Sequence, residues 1–295
     1  MYYYLLYKIG QFIALSLPLR LGYRVAVFCS DLHYLFANVD RRNVTANLKA
    51  IFPEKSEKEI AAIRLQMFRN FAKYLVDFFR FSKLDTDFIK ENIRVENIDY
   101  VDQGLAQGKG VIALTAHIGN WELGGVVTAL LGYPFWAVAL PHKHKKVNDF
   151  FNSQRGSKGM QVIPFGRAAR QCLETLQKNM VLALAGDRDF SEKGLVLDFF
   201  GRPTFLPAGA AAFSLKTGCQ IVPGFMIRDE DDKFTLKFDK PIEYAPTKDR
   251  ERDLVEITGR CKTVIENYIK RYPDQWYMFR KFWINPSEEG VRDII

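Results

Sequence analysis

The sequence predicts an α/β fold, a central sheet with helices on its faces, preceded by an apolar helical segment. Three observations carry that prediction. From about residue 110 onward, short apolar runs alternate with helix-patterned stretches. Residues 41–81 instead carry apolar side chains at three- and four-residue intervals. The first forty residues are apolar but broken by charge and proline. At 295 residues and 48 % apolar composition, the chain can bury a sizeable core.

Each element has its own signal. In 1–28, "MYYYLLYKIGQFIALSLPLRLGYRVAVF", Lys8, Arg20 and Arg24 interrupt the apolar pattern and Pro18 breaks a helix. The longest uncharged run, Ile9–Leu19, falls short of the ~18 residues of a clean span. A basic leader and a small-residue cleavage site are both missing, which argues against a signal peptide. The expectation is helices lying in a membrane interface, with Tyr2, Tyr3, Tyr4 and Tyr7 at headgroup level. Residues 1–40 are therefore set apart as a membrane-associating segment, and 41–295 as one domain. Ser56 followed by Glu59 has the capping-box spacing, and Pro53 separates that helix from the one before it. Strands are then expected over 110–115, 134–140, 161–166, 180–189, 219–228 and 233–244. Helices are expected over 121–132, 146–157, 167–179, 208–218 and 249–270.

Charge and cysteine content narrow the classes of function. A net charge of +8, from 42 basic and 34 acidic residues, favours acidic partners such as phospholipid headgroups or an acidic carrier protein. No basic cluster is interleaved with aromatics in a nucleic-acid recognition module, so nucleic acid is not an expected partner. Cys29, Cys172, Cys219 and Cys261 are widely spaced and suggest a reducing compartment.

The chemistry concentrates in "TAHIGNWELGG", residues 115–125, which holds one of four histidines. On a continuous helix, His117 and Glu122 would sit about 140° apart. They can meet if His117 leaves a strand, Gly119 and Asn120 turn the chain, and Glu122 opens a helix capped by Asn120. One imidazole nitrogen then binds the carboxylate and the other serves as a general base. A hydrogen-bonded structural pair is the competing reading of the same spacing. Zinc is not expected. The H-E-x-x-H spacing is missing, and His142 and His144 lie among Lys143, Lys145 and Lys146, whose charge repels a cation. No G-x-S-x-G elbow or marked cysteine supplies a nucleophile. A base without a protein nucleophile suits direct transfer to a hydroxyl.

With those residues in hand, the chain resembles the late acyltransferases of bacterial lipid A biosynthesis, the lauroyl/myristoyl type, within the wider glycerolipid acyltransferase superfamily. Besides H-x-x-x-x-E at 117–122, "RRNVTANLKAIFPEKS" (41–56), "NSQRGSKGMQVIPFG" (152–166), "GDRDF" (186–190), "FFGRPTFLPAGAAAFSLKTGCQIVP" (199–223) and "YPDQWYMFRKFW" (272–283) are similar to segments of that family in the same order.

The resemblance implies a central mixed sheet flanked by helices, as in the glycerolipid acyltransferases. It implies His117 as general base, Glu122 as its orienting acid, and Asp187 or Asp189 as a second carboxylate. Arg155 and Arg188, with Asn120, are the implied substrate-binding residues; arginine forks suit phosphate. No metal or cofactor is implied, only acyl carrier protein or coenzyme A delivering an acyl thioester as co-substrate. The implied acceptor is a membrane lipid, a lipid A precursor or related glycolipid, at the cytoplasmic face of a bacterial inner membrane. The basic run 141–146 and the final helix are candidate docking elements for the carrier protein. The small-residue stretch "LPAGAAAFSL" fits either a smooth wall for a fatty chain or close helix–sheet packing. A catalytically silent lipid- or carrier-binding protein on the same scaffold is the alternative.

Overall fold

The structure is a computed structural model that describes residues 2–166, 168–190 and 194–284. Helices α1 (Tyr2–Ser16) and α2 (Leu19–Phe36) meet at Pro18, where the proline breaks the chain as its fixed φ dictates. The carbonyls that end α1 are not left open. Arg80 donates to Ala14 and Leu17, and Lys83 to Leu15 at 2.6 Å. Helices α3 (Asn38–Ile51) and α4 (Glu57–Phe79) follow. The expected capping box closes the start of α4: Ser56 N donates to Glu59 at 2.9 Å and Glu59 N to Ser56 Oγ at 3.3 Å.

α2 packs along α4 through Tyr23 and Ser30, and its other side leaves Phe28, Leu32, Leu35 and Phe36 exposed. On α1, Tyr2, Tyr3, Leu5, Ile9 and Phe12 are exposed as well. Among the described residues, no helix is long and apolar enough to cross a membrane.

The rest of the chain builds the sheet. It runs α5 (Thr86–Asn92), β1 (Ile93–Glu96), α6 (Asp99–Leu105), β2 (Val111–Thr115), α7 (Trp121–Leu130), β3 (Phe135–Ala139), α8 (Lys145–Gly156), β4 (Gln161–Pro164), α9 (Ala168–Gln177), β5 (Val181–Ala185), β6 (Leu195–Phe199), β7 (Arg202–Leu206), α10 (Gly209–Thr217), β8 (Gln220–Arg228), β9 (Phe234–Phe238) and α11 (Arg250–Arg271). The six strands and five helices expected from about residue 110 onward are present, most within two residues of their expected ends, but β5 stops at Ala185, four residues before the expected end, and β9 at Phe238, six before it. Residue 167, where one helix was expected to begin, lies outside the described residues.

Seven strands form one mixed sheet in the order β1-β9-β8-β2-β5-β3-β4. The five from β8 to β4 are parallel, as strand–helix alternation requires. β9 returns antiparallel to β8 through the tight turn at Asp229–Lys233, and β1 pairs parallel with β9. Strands β6 and β7 make a separate hairpin.

Side chains alternate across the sheet, so each face has its own core. Ile112, Leu114, Leu182, Ile221 and Phe225 pack with α9, α10 and α11. Val111, Ala113, Val181, Ala183 and Met226 pack with α6, α7 and α8. Burying each large aliphatic side chain contributes about 1.5–3 kcal/mol.

Candidate active site

Parallel register brings the site together. β2 and β5 are neighbours, with Val111 beside Val181 and Thr115 beside Ala185. The ladder continues past both ends, Gly186 N donating to Thr115 O at 2.8 Å. Two residues beyond Thr115 and Ala185 stand His117 and Asp187. His117 Nδ1 lies 2.8 Å from Asp187 Oδ1, and the His117 amide donates to Oδ2 at 3.2 Å. The indole of Trp276, fully buried, donates to the same Oδ2 at 3.1 Å. Burial alone would raise the Asp187 carboxyl, but His117, Arg188 and Trp276 outweigh it and bring it down to about 2. An ionised carboxylate only accepts, so Nδ1 carries the ring proton and Nε2 is the basic nitrogen. Nε2 makes no hydrogen bond among the described residues, and His117 lines the main cavity.

That pairing carries a pH signature. The Asp187 carboxyl titrates near 3.8 in an unperturbed chain and near 2 in the folded one. The unfolded state therefore binds more protons between those values. The stabilisation, on the order of 2 kcal/mol, is complete above about pH 4 and disappears as pH falls toward 2. Melting wild type and Asp187→Asn across pH 2–6 checks this: their difference is expected to shrink on acidification. A difference that stays constant with pH would contradict it.

The turn after His117 is built with little freedom. Gly119 has φ +61°, and a Cβ there would stand 1.9 Å from the Met226 carbonyl oxygen. Its amide donates to Gln275 O at 2.9 Å, while Asn120 N donates to Met226 O at 2.7 Å. Tyr277 N donates to His117 O at 3.0 Å, and Ile118 bridges to Trp276. The segment after α11 thus lies over the turn like an added strand.

Asn120 caps α7, accepting from Leu123 N at 3.1 Å, and its amide donates to Asp77 at 2.9 Å. It is 1 % exposed and stands apart from the cavity lining, which corrects the expectation that it contacts substrate. Capping consumes its side-chain oxygen and the buried Asp77 its nitrogen.

Glu122 differs from expectation too. Its carboxylate receives the Arg155 fork, Nε at 2.8 Å and Nη2 at 2.5 Å, with both residues buried. Glu122 sits in the first turn of α7 and meets α8, so it does not orient His117; the neighbouring strand supplies that acid instead. Burial opposes the Arg155 charge, but Glu122 overcomes it and raises its pKa. The fork expected to hold substrate is thereby occupied, although both residues line the cavity.

Arg188 also lines it, donating to Tyr277 O while its buried Nε has no partner among the described residues. Burial and nearby Arg280 lower its pKa against the pull of Asp187. Asp189 accepts from Gly194 N at 2.5 Å and reaches the cavity edge.

Two cavities stand out among the described residues, one of about 320 Å³ near Asp85 and one of about 860 Å³ beside His117. The larger falls within the ~300–1,000 Å³ usual for ligand sites. Its floor is a row of alanines on three adjacent strands, Ala113 beside Ala183 beside Ala137. Gly124 and Gly125 of α7 lie along it, and buried Phe135, Met160, Leu236 and Phe238 complete its wall. A Cβ on Gly125 would approach Phe135 to 2.9 Å and Met160 to 3.0 Å. Gly209, Ala210 and Phe213 of α10 reach the cavity, whereas Ala211 is buried in the core, so the small-residue helix both lines the cavity and packs on the sheet.

Sequence reasoning missed the alanine floor and named Glu122 as the acid serving His117, with Asp187 or Asp189 only as a second carboxylate. One signal was available. "VIALTAH" (111–117) and "VLALAGD" (181–187) follow the same pattern, with alanine at the same step and His117 opposite Asp187.

Comparison with known proteins shows the family. The family model described as bacterial lipid A biosynthesis acyltransferase matches residues 1–285. The phosphatidylinositol mannoside acyltransferase of Mycolicibacterium smegmatis is 28 % identical over 219 residues, 73 % of this chain and 70 % of that protein. Its Mycobacterium tuberculosis (H37Rv) counterpart is 26 % identical over 212 residues, 67 % of this chain and 62 % of that protein. The lipid A biosynthesis palmitoleoyltransferase of Escherichia coli K12 is 25 % identical over 249 residues, 83 % and 79 % of the respective chains.

Proposed function

This chain belongs to the bacterial lipid A biosynthesis acyltransferase family, and from that premise we propose that it transfers a fatty acyl group from an acyl thioester to a hydroxyl of a membrane glycolipid, with His117 as general base. The observation that carries the reading is the His117–Asp187 pair at the edge of an alanine-floored cavity. The fatty chain lies over that floor, where small side chains leave room and apolar walls exclude water.

The steps follow from the tautomer. Nε2 of His117 takes the proton as the acceptor hydroxyl oxygen attacks the thioester carbonyl. A tetrahedral oxyanion forms, and Arg188, which lines the cavity and whose buried Nε has no partner among the described residues, is the cation assigned to steady it. The C–S bond breaks as the ester forms, and the thiolate leaves with the proton from the imidazolium. Asp187 holds the ring and offsets its transient charge. The thioester is a co-substrate, and no resident cofactor takes part.

Acyl carrier protein and coenzyme A are the two donor sources. Exposed Lys143, Lys145 and Lys146 at the start of α8 suit an acidic carrier. The acceptor is a lipid A precursor or a related glycolipid, in keeping with the names of the relatives. The exposed apolar faces of α1 and α2, with Lys8, Arg20 and Arg24 beside them, suit the headgroup layer of an anionic membrane. The inner membrane's cytoplasmic face is the location this implies, with residues 1–40 as the associating segment and 41–295 as the transferase domain.

The test is direct. Purified protein is mixed with vesicles holding a glycolipid acceptor and with acyl-carrier or acyl-CoA donor, and the lipids are read by mass spectrometry. A new ester on the glycolipid is expected. Tight lipid binding with no ester from either donor would replace the enzyme with a silent lipid- or carrier-binding protein.

Filling the floor checks the chain's position. Ala183→Leu adds bulk in the middle of the alanine row. It is expected to shift the ratio of long- to short-chain transfer by about tenfold or more toward short chains. Competition between two donors of different length measures it, and an unchanged ratio would move the chain elsewhere.

A further inference from the structure

Asp77 lies on α4, outside the main cavity lining, yet three elements converge on its carboxylate. Tyr23 of α2 donates its hydroxyl to Oδ1, Arg228 of β8 its Nη2 to Oδ2, and Asn120 its amide to Oδ2 at 2.9 Å. All four side chains are buried. Arg228 stands over the rings of Tyr23 and Phe234, at 4.9 and 4.6 Å.

Two short routes run from this carboxylate to the His117 turn. The first is Asn120 itself, three residues beyond His117 and the cap of α7. The second passes through the Arg228 backbone. Its N–H donates to Gln275 Oε1 at 3.0 Å and its carbonyl accepts from Gln275 Nε2 at 2.8 Å. The Gln275 carbonyl in turn accepts from Gly119 N at 2.9 Å. Asp77 therefore holds the turn from both sides.

The fourth member changes the meaning of the cluster. Tyr23 sits on the inner face of α2, whose outer face exposes Phe28 by 70 % and Phe36 by 75 %. We propose that Asp77 is a positioning residue for the His117 turn, and that Tyr23 makes the order of that turn depend on the seating of α2 against an anionic lipid surface. The proposal rests on the reading of His117 as the base and of α2 as lipid-facing. Displacing α2 removes a donor from a buried carboxylate, and the pull on Asn120 and Arg228 is redistributed. A surface that binds the seated form of α2 stabilises the ordered turn by linkage.

Tyr23→Phe removes the hydroxyl and keeps the ring under Arg228. Hydrogen exchange is followed in the full chain with and without phosphatidylglycerol/phosphatidylethanolamine vesicles, in residues 19–36 and 116–123. In the wild type, vesicles are expected to slow exchange in both segments. In Tyr23→Phe they are expected to slow 19–36 as before and leave 116–123 unchanged. With vesicle-held acceptor, kcat is expected to fall about tenfold at unchanged KM. Asp77→Asn, isosteric with Asp77, is expected to uncouple the same two segments; its melting temperature establishes that it is folded.

Wild-type slowing confined to 19–36 overturns the proposal. So does equal coupling in Tyr23→Phe, or a lower melting temperature with kcat unchanged. Exchange needs no turnover. If the wild type transfers no acyl group while the two segments remain coupled, the enzymatic reading falls and the linkage stands.

Discussion

Replacing His117 with alanine is expected to lower acyl transfer by about 10²–10⁴-fold, the usual contribution of a positioned general base. The ring is held by one carboxylate through Nδ1, and its Nε2 carries no hydrogen bond among the described residues. It therefore has a proton acceptor to offer and no structural duty for that atom. The loss should fall on kcat, because the proposed seat of the fatty chain is the alanine floor and not the imidazole. Single-turnover measurement with folded His117→Ala protein and vesicle-held acceptor checks this. A rate near that of the wild type would remove His117 from the chemistry.

Asp187→Asn is the second large effect, about 10²–10⁴-fold in kcat, by analogy with the Asp-to-Asn loss in the serine-protease triad. The amide keeps the volume and removes the charge. It cannot offset the imidazolium, and its NH₂ can turn toward Nδ1 and reverse the tautomer, leaving Nε2 protonated. Trp276 would keep its place over the site.

Glu122 is the control, since the sequence made it the obvious partner. Its loss leaves Arg155 buried without an anion, and Glu122→Ala is expected to destabilise the fold by about 3–5 kcal/mol. The two carboxylates thus separate by readout. Asp187→Asn should lose about 2 kcal/mol at neutral pH beside its large kcat loss, whereas Glu122→Ala should melt further below the wild type with no comparable pH dependence between pH 2 and 4. A fully stable Glu122→Gln protein with no turnover, beside an active Asp187→Asn protein, would return the orienting role to Glu122.

The site also shows why a basic, aromatic-rich chain can hold so many buried charges. Asp77 and Asp187 are each matched by a cation or an imidazole and by further donors, and Glu122 by both arms of the Arg155 fork. An unmatched member would cost several kcal/mol, so each pair is a point where single substitutions act strongly. Only one of the three faces a basic nitrogen left open to the cavity.

What the sequence determined by itself was mostly local. The Ser56–Glu59 box, the break at Pro18, the Asn120 cap and the alternation of strands and helices depend on residues a few positions apart, and all are present. Elements with weak local signals escaped it. β1 has only four residues, and the β6–β7 turn places Phe200 at φ +53°, where glycine or asparagine would have announced a hairpin.

The choice of partners belonged to the tertiary structure. His117 meets an acid seventy positions away because β5 lies beside β2 in parallel register, and not the acid five positions away, which α7 turns toward Arg155. Asp77 finds Arg228 across 151 positions in the same manner. Propensity, capping and periodicity act within a turn or two of chain. Strand order and register, set by the packing of two whole faces of the sheet, decide which distant charge each buried group meets.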